Sequence, residues 1–250
     1  MPRYDFRTPR LFVTAPLGAG ARVSLEPAPA HYLVNVLRRR PGDRVLTFNG
    51  SDGEWSAELE LEGRRHAVLN VRERTRPQPP PGDLHYLFAP LKHARLDYMV
   101  QKAVEMGASR LQPVLTQNTQ AERVNRNRMQ ANAIEAAEQC GILAIPEIGE
   151  PVALANALAA LEPARLLVFC DEDAEVKDPI AALAAARQKE ASTPLALLIG
   201  PEGGFTTEER AALMDRPRVV RLSLGPRILR ADTAAVAALA LVGAVIGDRQ

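Results

Sequence analysis

Four prolines fall within the ten residues RTRPQPPPGD, Arg74 to Asp83. Proline fixes φ and has no amide hydrogen, so this stretch is barred from helix interiors and central strands. It reads as a stiff, extended connector. It divides the chain into a first domain of residues 1–73, a linker of 74–82 and a second domain of 83–250. A length of 250 residues is enough for two ordinary domains. The hydrophobic pattern changes across the connector, as a boundary there requires.

Before the connector the pattern has the period of strands. RVLTFNGSDGEWSAELELEG holds an apolar run, an Asn-Gly and Asp-Gly turn cluster, and then Trp55, Ala57, Leu59 and Leu61 alternating with polar residues. This predicts a hairpin with one buried face. HAVLNVRER offers a further strand. HYLVNVLRRR has Leu33, Val36 and Leu37 at helical spacing and stops at Pro41-Gly42. Short strands with one short helix suggest a small barrel.

After the connector, strands alternate with helices. LHYLFAP, RLQPVLT, ARLLVFCDE, PLALLIGPE and RVVRLSL read as strands. RLDYMVQKAVEMG, Asn127 to Cys140, and TAAVAALALVGAVIG read as helices. This order predicts an α/β domain with a mostly parallel, buried sheet. Aromatics make up only 4% of the chain, so the core must be built from Leu, Val, Ile and Ala.

Several chemistries are disfavoured. Cys140 and Cys170 have neither a disulfide framework nor metal-ligand spacing, and His31, His66, His85 and His93 are scattered, so no metal is expected. Cys140 reads as a small core residue. No apolar run is long enough to span a membrane, and MPRYDFRTPR is too polar for a signal peptide, so a cytoplasmic protein is expected. Residues 1–82 hold 13 Lys and Arg against 9 Asp and Glu, while residues 83–250 hold 18 against 21. The first part is the better candidate for touching a polyanion, although ordinary surface charge explains a difference of this size equally well.

In a parallel sheet, ligands gather at the carboxyl ends of the strands. Three of these ends are unusual here: Phe169-Cys170-Asp171-Glu172, Gly200-Pro201-Glu202-Gly203-Gly204, and LSLGPRILRADTAA from Leu222 to Ala235. Two of them place Gly-Pro directly after an apolar strand. Glycine admits a close approach to the main chain and proline stiffens the loop. Such backbone suits a flat, hydrogen-bonding ring such as adenine; plain turns have the same composition. No phosphate-binding glycine motif is present, which argues against a nucleoside triphosphate or a dinucleotide.

Taken in order, LLIGPEGGFTTEE and LSLGPRILRADTAAVAAL resemble the cofactor region of the bacterial ribosomal RNA uridine N3-methyltransferases of the SPOUT superfamily. LKHARLDYMVQKAVEMGASRLQPV, AIEAAEQCGILAIPEI and HYLVNVLRRRPGD are similar to the same family in the same order. The resemblance spans residues 5–247. One departure is Arg230-Ala231-Asp232-Thr233, where Arg-x-Glu-Thr is common; aspartate keeps the charge and is one methylene shorter.

The resemblance implies an α/β SPOUT domain with a mostly parallel sheet and a C-terminal trefoil knot, preceded by a small PUA-like β-barrel that binds RNA. It implies S-adenosyl-L-methionine as cofactor, 16S ribosomal RNA in the small ribosomal subunit as partner, and a homodimer. The cofactor-binding residues it implies are Phe169, Cys170 and Asp171 on the first loop. On the second they are Ile199, Gly200, Pro201, Glu202 and Gly203. On the third they are Leu222, Leu224, Gly225, Pro226, Ile228, Leu229 and Arg230. Arg230 is the first choice for charge stabilisation, with a plain salt bridge to Asp232 or Glu202 as its alternative. Asp232 and Glu202 are candidates for proton removal, as is a solvent path with no dedicated base. Arg38, Arg39 and Arg40 are candidates for RNA phosphate contacts or form a solvated helix end. Lys102 and Glu105, three residues apart, either pair with each other or help organise the site. Two other functions remain open. One is ribose 2'-O-methylation, for which Asn118, Asn125 and Arg128 are the nearest approach to the required Asn/Arg motif. The other is a non-catalytic RNA-binding assembly factor.

Overall fold

The computed structural model describes residues 5, 7–63, 66–80, 82–120, 123–175, 178–187 and 194–246. Pro81 of the connector and the extreme ends of both expected domains lie outside the described residues. The chain forms two compact units. One comprises residues 1–80 with 137–145, the other 81–136 with 146–250.

The first unit contains β1 (Arg10–Phe12), β2 (Arg22–Ser24), α1 (Pro27–His31), β3 (Arg44–Phe48), β4 (Glu54–Glu62) and β5 (His66–Arg76). The strand order is β1-β3-β4-β5-β2, with β1 parallel to β3 and the other pairs antiparallel. The β3–β4 hairpin turns at Asn49–Gly53, where the Asn49 side-chain oxygen accepts the amides of Ser51 and Asp52. Gly53 has φ +85°, and a side chain there would run into the Arg76 carbonyl. Ala57 and Leu59 point into the core with Leu33, Val45 and Leu69. Leu61, the last residue of the alternation, is exposed at the hairpin's far end. The segment after α1 winds as a π-helical turn, Tyr32–Val36, which buries Leu33 and leaves Val36 exposed.

Strand β5 runs three residues into the proline-rich segment because Thr75 and Arg76 have partners. Glu54 is buried and accepts bonds from Arg10 Nε (2.7 Å), Arg76 Nη2 (2.7 Å) and Thr75 Oγ1 (2.8 Å). Burial would raise its pKa, but the bonds from Arg76, Arg10 and Thr75 outweigh this and leave it lowered. The same arginines donate to the Glu138 carbonyl (3.1 Å) and the Gly141 carbonyl (2.9 Å). These bonds place 137–145 in the first unit. Cys140 lies in this segment and is exposed, contrary to the core position expected for it. The apolar work there is done by Ala137 and Leu143.

The second unit begins with β6 (Leu84–Phe88), α2 (His93–Glu105), β7 (Arg110–Leu115) and α3 (Arg126–Cys140), whose last turn lies in the first unit. It continues with β8 (Glu147–Ile148), β9 (Val152–Ala153), α4 (Leu154–Ala160), β10 (Leu166–Cys170) and α5 (Pro179–Ala186). It ends with β11 (Leu195–Ile199), α6 (Thr207–Met214), β12 (Val219–Leu222) and α7 (Ala231–Ile246). The sheet order is β12-β10-β11-β6-β7-β8, with β9 beside β7, and every described pairing is parallel. Both faces are covered, which explains why LLVFC and LALLI read as unbroken apolar runs. On one face Leu87, Leu167, Phe169, Ala196 and Leu198 pack with Leu154 and Leu158 of α4 and Leu213 of α6. The alternate residues, Tyr86 and Leu197 among them, face the other side. Helix α7 turns Ala231, Ala235, Ala238, Leu239, Val242 and Ile246 inward and packs with α2 and α5. No helix among the described residues is long and apolar enough to cross a membrane.

Candidate functional site

The register of three adjacent strands builds the site. Cys170 at the end of β10 pairs with Ile199 at the end of β11 and with Leu222 at the end of β12. Three loops from distant parts of the chain therefore leave the sheet side by side. They enclose a cleft of about 730 Å³ lined by Cys170–Glu172, Ile199–Phe205, Ser223–Leu229 and the start of α7. That volume suits a cofactor-sized molecule.

The second loop is the most tightly fixed. Phe205 turns back under it and meets Phe169 edge-on at 6.1 Å. Thr206 and Glu209 then cap α6 reciprocally: the Thr206 hydroxyl accepts the Glu209 amide (3.2 Å) and the Glu209 carboxylate accepts the Thr206 amide (3.0 Å). Asn118 Nδ2 donates to the carbonyls of Gly203 (3.1 Å) and Gly204 (3.0 Å). Gly200 is required by packing: a Cβ there would lie 2.7 Å from the Phe205 ring. Gly225 is required by conformation, with φ +106° and open space around it. The third loop has fewer ties, and Ile228 stands 92% exposed on it.

The charges at the cleft are uneven. Among the described residues, Asp171, Glu172, Glu175 and Glu202 line it, against Arg227 as the one lining cation. Asp171 is buried and held by Arg210 (2.8 and 3.1 Å) and Arg221 (3.0 Å). Burial would raise its pKa, but the Arg210 bond, the Asp173 amide and the two guanidinium charges together lower it. Asp171, Glu172 and Asp173 are close enough to share a cation, but Arg210 already pairs with all three. Burial, and then the neighbouring Asp171 charge, push the Cys170 thiol up to about 12, so it is not a thiolate nucleophile at neutral pH.

Of the residues expected to bind cofactor, Cys170, Asp171, Ile199, Gly200, Pro201, Glu202, Gly203, Leu224, Gly225, Pro226, Ile228 and Leu229 line the cleft. Phe169 and Leu222 lie in the core behind it; the Leu222 carbonyl accepts the Asp171 amide (2.9 Å). Arg230 is exposed beside the cleft. Its side chain forms no hydrogen bond or ion pair with the described residues, so the salt bridges to Asp232 and Glu202 are not made. Glu202 pairs instead with Arg95 of α2. The Asp232 carboxylate accepts only the adjacent Thr233 amide among the described residues (3.0 Å).

Lys102 and Glu105 do pair, at 2.7 Å, with Lys102 5.5 Å over the Tyr98 ring. Asn118, Asn125 and Arg128 do not converge on one point: Asn118 holds the glycine loop, Asn125 caps the Arg128 amide, and Arg128 pairs with Asp97. On the first unit, Arg38 and Arg40 are exposed, Arg39 is half-buried, and Arg38 has φ +54°. Nothing in the sequence marks Arg95, Asn118, Arg210 or Arg221 as partners of the residues that line the cleft. Each is an ordinary polar residue far along the chain from its partner, without a local spacing to betray it.

A family model described as an RNA methyltransferase domain matches residues 78–243, and one described as an RNA methyltransferase PUA domain matches residues 26–72. The chain belongs to the RNA methyltransferase family. The ribosomal RNA small subunit methyltransferase E of a Synechocystis strain is 31% identical over 90% of this chain and 74% of its own. The protein of that name from Rickettsia conorii is 27% identical over 93% of this chain and 94% of its own. Among solved structures, a protein of Legionella pneumophila with bound cofactor SAM is 28% identical, with TM-score 0.81 over 95% of this chain and 98% of its own. The small subunit methyltransferase E of Neisseria gonorrhoeae, bound to S-adenosyl methionine, is 25% identical, with TM-score 0.82 over 98% of this chain and 100% of its own. Family membership fits the architecture: a small β-domain followed by a parallel α/β domain whose strand ends carry the cleft.

Proposed function

We propose that this family member is an S-adenosyl-L-methionine-dependent methyltransferase that modifies uracil N3 of a uridine in 16S ribosomal RNA. In this reading it acts in the cytoplasm as a homodimer, on the small ribosomal subunit. The first domain, residues 1–73, contributes RNA affinity through Arg38, Arg39 and Arg40; residues 74–82 connect; residues 83–250 hold the cofactor in a knotted SPOUT fold. The observation that carries the reading is the in-register meeting of Cys170, Ile199 and Leu222, which brings three loops to one cleft.

The donor set fits the cofactor. Exposed main chain around Gly200 and Gly225 suits the adenine edge, and the carboxylate-rich lining suits a molecule bearing a sulfonium and an ammonium group. When bound, the cofactor supplies an electrophilic methyl group. The chain must hold uracil N3 in line with it, stabilise negative charge developing on the ring oxygens, and let the N3 proton leave. Arg230 is free for the second task, since a guanidinium can fork two bonds. Asp232 is better placed than Glu202 for the third, because Glu202 is tied to Arg95.

The test is methylation of 16S ribosomal RNA by the purified protein with labelled cofactor, followed by mapping of the modified base. A 3-methyluridine is expected. A 2'-O-methyl ribose would replace this reading with the ribose reaction, and cofactor binding without transfer to any ribosomal RNA would contradict it. Light scattering of the full chain at micromolar concentration should give the mass of a dimer.

A further inference from the structure

The second unit has another cleft, at the N-terminal ends of α2 and α3. It is a trough of about 940 Å³. Leu91, Leu96 and Met129 are buried beneath it. Among the described residues, Lys92, Arg123, Arg126 and Arg128 line it, against the one carboxylate of Asp97. This is the reverse of the cofactor cleft in the same unit, where carboxylates dominate.

The four cations fall into two pairs. Arg128 is held by Asp97 through Nε (2.8 Å) and Nη2 (2.6 Å), and Asn132 donates to the same carboxylate (2.8 Å). Arg126 is held by Glu150 and by the Ile148 carbonyl (2.7 Å). Each of these guanidiniums is anchored along one edge and keeps other N–H groups to offer, so little side-chain entropy remains to be lost on binding. Lys92 and Arg123 are exposed, and their side chains form no hydrogen bond or ion pair with the described residues. Helix α2 starts at the trough without a side-chain cap, so its first amides add to the positive potential.

We propose that this trough binds the sugar–phosphate backbone of the RNA substrate, making the second domain a contact surface for RNA as well as the seat of the cofactor. The proposal rests on the functional reading above. A cationic trough repels a sulfonium, so it is not a second cofactor site. Anchored guanidiniums beside exposed cations match a chain of phosphates, which presents one charge after another along an extended groove.

The experiment uses the full-length double variant Lys92→Ala/Arg123→Ala, whose substituted side chains are exposed. Binding to 16S ribosomal RNA is measured across a salt series, with S-adenosylmethionine affinity measured by calorimetry. The slope of log affinity against log salt should shrink by about 0.7 to 0.9 for each phosphate that is no longer neutralised, and affinity at about 0.15 M salt should fall roughly tenfold. Cofactor affinity should stay at the wild-type value, and Lys92→Arg/Arg123→Lys should restore the slope. If the wild type binds 16S ribosomal RNA and the alanine variant matches it in affinity and slope, the trough is not an RNA surface, while the functional reading stands. If the wild type does not bind 16S ribosomal RNA, that reading fails and this proposal with it.

Discussion

The two clefts of the second unit share one sheet and have opposite charge. The first is lined by Asp171, Glu172, Glu175 and Glu202, the second by Lys92, Arg123, Arg126 and Arg128. A slightly acidic total for residues 83–250 therefore averages two surfaces of opposite charge. The charge balance makes residues 1–82 the better candidate for touching a polyanion, but a domain total says nothing of where the charges sit, and the basic trough lies in the more acidic part. Within the acidic cleft the floor and the rim also differ. Asp171 is already paired with two guanidiniums, whereas Glu175 at the rim has no ion pair among the described residues. Glu172 and Glu202 are also paired, with Arg210 and Arg95, so among the described residues Glu175 is the lining carboxylate whose charge is least offset.

The largest effect that sharpens this contrast concerns Arg230, the cation beside the acidic cleft. If it acts on charge that develops only during transfer, Arg230→Ala should lower kcat by roughly 100- to 1000-fold. Affinities for cofactor and RNA should stay close to wild type, because the ground state makes little use of the group. Single-turnover methylation with saturating cofactor measures this. A rise in KM with unchanged kcat would move Arg230 to the RNA-holding side of the comparison.

A second, smaller effect separates what the glycine loop owes to packing from what it owes to the ligand. Gly200 faces Phe205, so Gly200→Val should destabilise the protein by about 1–3 kcal/mol through overpacking. Phe205→Leu in the same chain should recover part of that loss. Urea unfolding of the single and double variants gives both numbers. A Gly200→Val protein with wild-type stability and no cofactor affinity would instead show that the glycine is needed for the ligand's approach.

This glycine shows what the sequence carries and what it does not. The proline segment, the period-2 hairpin and the alternating strands and helices are local patterns, and local patterns can be read along the chain. The three strand ends can be read too, because an apolar run that stops at Gly-Pro is a local event. What stays hidden is pairing over distance. Glu54 sits in an alternating strand and looks solvent-facing, yet Arg10, 44 residues away, meets it in the core. Asn118 and Gly203 are 85 residues apart, and only the fold makes them neighbours. The basic trough is of the same kind: Lys92 lies on one helix end and Arg123 to Arg128 on another, with nothing in either segment to announce the other.

A third test addresses the floor of the acidic cleft. Arg210→Ala removes two hydrogen bonds from Asp171 and leaves Arg221 in place, so a loss of about 1–2 kcal/mol is expected, after discounting for the partly exposed guanidinium. The pH dependence has a definite sign. The folded pKa of Asp171 lies below its ordinary value of 3.8. Its stabilising contribution is therefore complete above 3.8 and is lost as pH falls through the lowered folded value. The stability gap between wild type and Arg210→Ala should narrow across that acid range. A gap independent of pH would mean that the arginine contributes by packing alone.

The smallest expected effect probes the rim, and it isolates charge from shape. The cofactor carries a sulfonium before transfer, and the product left after transfer carries a neutral sulfide at the same atom. Removing one rim carboxylate should weaken binding of the first more than of the second. Glu175→Gln keeps the side chain's size and removes only its charge. Two unit charges about 8 Å apart in water interact by about 0.5 kcal/mol, which corresponds to roughly twofold in affinity. The ratio of cofactor to product affinity should therefore fall about twofold in Glu175→Gln, and the difference should shrink as salt rises. Paired calorimetric titrations with S-adenosylmethionine and S-adenosylhomocysteine measure the ratio directly, because any change in the cleft's shape affects both ligands alike. An equal loss for both would mean that Glu175 acts through structure. The rim would then be acidic without being selective, and the contrast between the two clefts would rest on the basic trough alone.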